Sequence, residues 1–108
     1  MSFKNPHMLT LVRSDTFSAW LAALTDKKGK ARILARLTSV EHGNFGDCEP
    51  VGEGVSEMRI HFGPGYRVYF VKNGSTVYVL LNGGNKGSQK RDIAQAKRMA
   101  RELKESDK

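Results

Sequence analysis

Cys48 is the single cysteine of the chain, so no disulfide forms within it and the core has to hold by packing. The histidines, His7, His42 and His61, are scattered without metal-ligand spacing, and neither a metal nor any other cofactor is expected. GxGxxG and Walker patterns are also missing, and no small-molecule substrate is expected. No apolar run approaches the roughly 20 residues of a membrane-crossing helix, which leaves no membrane partner to expect. The opening "MSFKNPHMLTLV" lacks the apolar stretch and small-residue cleavage site of a secretory signal, and the expected location is the cytoplasm. Residues 1–7 are expected to be a flexible leader, and residues 1–108 as a whole, at 12.0 kDa, have room for one domain with one core.

Acidic residues are scarce as well. Against 18 Lys and Arg stand 11 Asp and Glu, a formal charge of +7, which suits a polyanionic partner such as nucleic acid. The charges are segregated. Residues 27–36, "KKGKARILAR", hold five bases and no acid, and residues 86–108 hold eight bases and four acids. Residues 41–57, "EHGNFGDCEPVGEGVSE", hold five acids and no base. A basic track beside an acidic rim is expected, with Lys27, Lys28, Lys30, Arg32, Arg36, Lys90, Arg91, Lys97 and Arg98 as candidate residues for contacting nucleic acid.

What is present has clear periodicity. "MLTLV" is short and apolar and predicts a strand. Phe17, Trp20, Leu21 and Leu24 recur at helical spacing behind Ser14 or Asp15 as N-cap, and Ile33, Leu34, Leu37 and Val40 do so ahead of Gly43, which fits the C′ position. These two helices are expected to form an αα-hairpin. "GNFGDCEPVGEG" is expected to be a crossing loop. Val55–Phe62, Tyr66–Lys72 and Thr76–Asn82, separated by "GPG" and "NGS", predict an antiparallel meander. A last helix, capped by Ser88, has Ile93, Ala96, Ala100 and Leu103 on its apolar side and bases elsewhere. The expected class is α+β, a small antiparallel sheet packed on the N-terminal hairpin with a basic C-terminal helix.

Strand parity exposes an oddity in "VSEMRIHFGPGYRVYFVK". Ser56, Met58, Ile60 and Phe62 share one face with Tyr66, Val68 and Phe70, which is core. Val55, Glu57, Arg59 and His61 share the other with Arg67, Tyr69 and Val71. Closing the hairpin through Gly63, Pro64 and Gly65 pairs Phe62 with Tyr66, His61 with Arg67 and Arg59 with Tyr69. Two arginines and a histidine so crowded repel one another unless an anion lies between them, a space of phosphate size. Lys86, in a glycine-rich turn after a strand, is expected close by.

The motifs "F..WL..L.D", "KARILARL", "GNFGD..PVGEGVSEMRI", "GPGYRVYF" and "LLNGGNKGSQKRDI" resemble, in order from about Leu9 to Leu103, the HigB-like addiction-module killer proteins of the RelE/ParE toxin superfamily. The resemblance implies a RelE-like fold and a toxin inhibited by a DNA-binding antitoxin encoded beside it. For the RelE-like branch it implies metal-independent cleavage of mRNA on the ribosome, while ParE-like relatives poison DNA gyrase instead, and a non-catalytic binding member is the further alternative. Matched residue by residue, the site positions of such toxins fall on Glu57, Arg59, Arg67 and Lys86. The tyrosine some relatives carry in the terminal helix is absent, with Asp92 near its place and Tyr69 the nearest phenol.

RNA carries its own nucleophile, the 2′-OH. An endoribonuclease therefore needs only a base for that proton, positive charge on the phosphorane and an acid for the 5′-oxygen. Glu57 is the expected base and His61 the alternative, as base or as acid. Arg59, Arg67 and Lys86 are expected to hold the phosphate.

Overall fold

The computed structural model describes residues 8–106; the expected leader and His7 lie outside the described residues. Along the chain run β1 (Thr10–Arg13), α1 (Asp15–Ala23), α2 (Lys27–Glu41), β2 (Cys48–Gly52), β3 (Val55–Ile60), β4 (Tyr66–Lys72) and β5 (Val77–Gly84). A single 3₁₀ turn, Lys86–Ser88, then leads into α3 (Gln89–Ser106). The strands form one five-stranded sheet in the order β1-β5-β4-β3-β2. The fold is thus α+β, but the sheet is mixed rather than antiparallel, because β1 runs parallel to β5. The chain has to return along α1 and α2 before the meander starts, and this crossover leaves its first strand beside its last.

Local chemistry sets the helix ends. Ser14 caps α1 by accepting the Phe17 amide at 3.0 Å, and its hydroxyl donates to the Leu81 carbonyl at 2.6 Å, which ties the helix start to β5. Asp26 caps α2 by accepting the Gly29 amide at 3.0 Å and also accepts the Tyr66 hydroxyl at 2.7 Å. At the other end of α2, Gly43 takes φ 88°. There the Asn44 amide bonds the Ser39 carbonyl at 2.9 Å and the Gly43 amide bonds that of Val40 at 2.8 Å, a Schellman ending. The expected cap of α3 is corrected. Asn85 caps the 3₁₀ turn, accepting the Gly87 and Ser88 amides, while the Ser88 hydroxyl bonds the Asp92 carboxylate inside the first turn of α3.

Both faces of the sheet are covered. Phe17 and Leu21 of α1 and Ile33, Leu37 and Val40 of α2 pack against Met58, Ile60, Val68, Phe70 and Leu80. Each helix rests chiefly on the sheet, α1 on β5 and α2 on β1 and β3, so the sheet rather than the expected αα-hairpin is what these helices pack on. Leu34, expected in the α2 stripe, is exposed. On the opposite face Ala96 and Ala100 of α3 pack against Val55, Tyr69 and Leu81. The basic helices α2 and α3 consequently lie on opposite sides of the sheet, and their charges do not form one track.

Three further differences bear on the site. The expected crossing loop contains β2, an edge strand that pairs with β3 despite Pro50, which an edge tolerates. The hairpin register is shifted by two residues, with Ile60 opposite Tyr66, Arg59 opposite Arg67 and Glu57 opposite Tyr69. The turn is longer than expected, since Gly63 (φ 56°) and Gly65 (φ 76°) both take left-handed backbone and Phe62 leaves the ladder to lie under the Arg32 guanidinium. A shift of two preserves parity, so the faces stand as expected. Finally, β5 extends to Gly84 and has a bulge between the positions facing Tyr69 and Phe70, which puts both Leu81 and Asn82 on the α3 side.

Gly83 lies against the Trp20 ring, and a Cβ there would run into that ring. Trp20 is itself half-buried and packed against Phe17 and Tyr66. Gly83→Ala should therefore destabilise the fold by about 1–3 kcal/mol, read as a drop in the melting midpoint by circular dichroism. An unchanged midpoint would contradict this packing.

Candidate active site

With the register set, the α3 face of the sheet has two polar rows. Glu49, Glu57, Tyr69 and Asn82 lie directly across from one another on β2, β3, β4 and β5. The next row toward the hairpin turn holds Arg59, Arg67 and Gly84. Gly84 has to be glycine, because a Cβ there would meet the Asp92 carboxylate and the Ser88 hydroxyl.

Glu57 is the centre of the arrangement. It is 1% exposed, yet three donors reach it. Its Oε1 accepts Arg59 Nε at 3.0 Å, and its Oε2 accepts Gln89 Nε2 at 2.8 Å and the Tyr69 hydroxyl at 3.0 Å. Arg67 Nε lies 3.6 Å from Oε2, an ion pair without a hydrogen bond, and Arg67 NH1 donates to the Gly65 carbonyl at 2.7 Å. Burial by itself would push the Glu57 carboxyl up, but hydrogen bonds from Gln89, Arg59 and Tyr69 together with the Arg67 charge hold it below the ordinary range. Tyr69 is pushed the other way, first by burial and then by the Glu57 charge and hydrogen bond, so its phenol stays protonated. It serves as a donor to Glu57 inside the protein.

The other expected site residues divide into two groups. Lys86 is exposed at the end of β5, its amide 3.3 Å from the Pro64 carbonyl and its Cβ close to Gly65, where Arg67 NH1 also lies. It therefore stands beside Arg67. His61, two residues beyond Arg59, is exposed, and its Nε2 is 2.6 Å from Asp47 Oδ2. It is at the same end of the sheet but does not touch Glu57. Asp92 is buried and works inside α3, accepting from Ser88 through its carboxylate and from Asn82 Nδ2 through its carbonyl at 3.0 Å. It does not face Arg67 or Lys86 as a free group.

The basic residues also differ in what they can contact. Lys27, Lys28, Arg32, Lys90, Arg91 and Arg98 are exposed, while Lys30 and Lys97 are half-buried. Arg36 is spent on the fold, its guanidinium donating to the carbonyls of Arg59 at 2.6 Å and Phe45 at 2.7 Å. It fixes β3 and the loop ahead of β2 from below, and no longer counts as an RNA contact.

Residues 19–104 match the family described as Phage derived protein Gp49-like. The chain belongs to the Gp49-like family. An uncharacterized protein of Haemophilus influenzae is 46% identical over 88 residues, covering 82% of this chain and 89% of that relative. The family is phage-derived, which is consistent with the toxin of a toxin–antitoxin pair. None of the helices among the described residues is long and apolar enough to cross a membrane.

Gln89 of this Gp49-like protein had no signal in the sequence, since a glutamine opening a basic helix looks like solvated surface. Asn82 was likewise missed. It donates to the Asp92 carbonyl and the Gln95 side chain, and fastens α3 to the polar row. Glu49 would have been legible only with the correct register and with β2 recognised as a strand.

The Glu57 carboxyl sets a pH dependence. Its folded-state value lies below the ordinary 4.5, so the charged form stabilises the fold above the unfolded value, and that contribution is lost as the pH falls through the lower, folded one. Glu57→Gln should lower stability at pH 7 by roughly 1.5–3 kcal/mol, the scale of hydrogen bonds to a charged group. The gap between wild type and variant should narrow as the solution is acidified below about pH 4. Urea unfolding across pH 3–7 checks this, and a gap that stays constant over that range would contradict the assignment.

Proposed function

We propose that this Gp49-like protein is a toxin that arrests translation by cutting mRNA on the ribosome, with the RNA 2′-OH as nucleophile. The observation that supports this reading is the placement of Arg59 and Arg67. They stand directly opposite on adjacent strands, both drawn to one buried carboxylate, with Lys86 beside them. Glu57 and the exposed Glu49 balance the two guanidiniums in the free protein, Lys86 adds a charge beside them, and the Arg67 Nε is buried without a hydrogen-bond partner among the described residues. A phosphate with several acceptor oxygens is the group that satisfies such a fork.

Glu57 takes a different role here from the one its sequence position suggests. A base has to reach the 2′-OH, and Glu57 is buried beneath Gln89 with both oxygens engaged. Its work is to fix Arg59 and Arg67 in place before substrate arrives, the kind of preorganisation that stabilises a developing charge without rearrangement. His61 is exposed just past the end of β3 and its Nε2 is oriented by Asp47, an arrangement suited to a general base. In the reaction His61 accepts the 2′-OH proton and the 2′-oxygen attacks phosphorus. The phosphorane charge rests on Arg59 and Arg67. The P–O5′ bond then breaks and the 5′-oxygen takes a proton from the Lys86 ammonium, giving a 2′,3′-cyclic phosphate and a 5′-hydroxyl end. Lys27, Lys28, Arg32, Lys90, Arg91 and Arg98 are placed to contact ribosomal RNA from both sides of the sheet, and an antitoxin is the expected partner that silences the protein.

Arg67→Lys keeps a charge beside Glu57 but loses the fork. It should stay folded, melting below wild type for the lost Gly65 hydrogen bond, and reduce mRNA cleavage by about 10²–10³-fold, the scale of a lost oxyanion donor. Arg67→Ala should abolish growth arrest. Induced expression at matched abundance with reverse-transcription mapping of RNA ends is the test, and growth arrest by a folded Arg67→Ala protein would overturn the site.

A further inference from the structure

Two acids stand in front of the bases that a phosphate chain has to reach. Glu49 on β2 holds Arg59 NH2 at 2.8 Å, and Asp47, just before β2, holds His61 Nε2 at 2.6 Å. Arg59 spends its Nε on Glu57, so the NH2 edge is the part of the guanidinium turned away from the buried carboxylate, and Glu49 occupies it. The two glutamates also face one another directly in the β2–β3 register. Like charges so placed repel unless a cation lies between them, and Arg59 is that cation. The glutamates differ sharply in exposure, with side chains 59% exposed at Glu49 and 1% at Glu57. Glu57 is fixed. Glu49 can leave.

We propose that the outer edge of the Arg59 guanidinium is a subsite for a phosphodiester of a single RNA strand, and that Glu49 fills it as a carboxylate stand-in in the free protein. The proposal rests on the RNA-cleaving reading above and adds to it how the site is kept shut. Carboxylate and phosphate present similar paired oxygens to a guanidinium, so one replaces the other without rebuilding the base. Asp47 stays with His61, which lies in the turn after β3, where the Phe62 amide bonds the Ile60 carbonyl at 2.8 Å. RNA binding is thus an exchange in which the strand displaces Glu49 from Arg59. Edge protection is the other role open to acids on an outer strand. It predicts that their removal causes self-association and leaves RNA affinity alone.

The test measures binding of the full chain to a labelled, 2′-O-methylated single-stranded RNA oligonucleotide, which the 2′-OH chemistry cannot cut. Glu49→Gln should bind roughly two- to fivefold tighter than wild type, the range an exposed ion pair covers. Glu105→Gln, the same charge change near the far end of α3, should alter affinity less. In wild type the displaced Glu49 takes up a cation that offsets part of the counterion release, so Glu49→Gln should also steepen the log–log salt slope by up to about 0.7. In an Arg59→Gln background the gain should vanish. A gain that persists there would reduce the effect to net charge and overturn the proposal. So would Glu49→Gln binding no tighter than wild type while Arg67→Ala weakens binding, an outcome that leaves the RNA reading standing. No measurable RNA binding by any of these proteins would overturn both.

Discussion

A buried carboxylate has to be surrounded by donors, and most of what is distinctive here follows from meeting that need at Glu57. An isolated ionised carboxylate in an apolar interior is costly enough that it would take up a proton. Tyr69, Gln89 and Arg59 prevent this, and each comes from a different element, β4, α3 and β3. The interaction therefore does more than orient arginines. It pins the first turn of α3 to the middle of the sheet, and the 3₁₀ turn ahead of it then carries Lys86 to the Arg67 side. Asn82 repeats the device two strands over by bonding the Asp92 carbonyl and Gln95. The polar row fastens the helix as much as it builds a site.

The electrostatic consequence is a site with its cations arranged in advance and partly neutralised. Glu57 restrains the two arginines from within, and Glu49 and Asp47 meet Arg59 and His61 from outside. Within a sequence of strongly positive charge, the acids of residues 41–57 are concentrated beside the bases that matter most. Under the proposed exchange such a site has modest affinity for free RNA until a strand displaces Glu49 from Arg59.

The sequence was legible where periodicity carries the information. Parity assigned Met58, Ile60, Val68 and Phe70 to one face and Glu57, Arg59, Arg67 and Tyr69 to the other, and the structure agrees, because an even register shift cannot exchange faces. Register was not legible, since it depends on how many residues Gly63 and Gly65 allow in the turn. β2 was hidden because "CEPVG" has the composition of a loop and becomes a strand only by pairing with β3 at an edge. The coverage of the charged face was also invisible. Alternation shows that Glu57 shares a side with Arg59, but only the docking of α3 reveals that Glu57 is buried while Arg59 keeps access to solvent. Gln89 belongs to the same class, a contact between elements far apart in sequence that no local pattern encodes.

The central claim is that the paired arginines hold RNA phosphate for cleavage during translation. The most direct measurement adds the purified protein to a cell-free translation reaction and maps RNA ends on one message in translated and untranslated forms, with a parallel assay for DNA breaks trapped on gyrase. The account predicts new 5′-hydroxyl ends within the translated message, absent from the untranslated one, and no trapped DNA breaks. Trapped gyrase breaks with an intact message would contradict it.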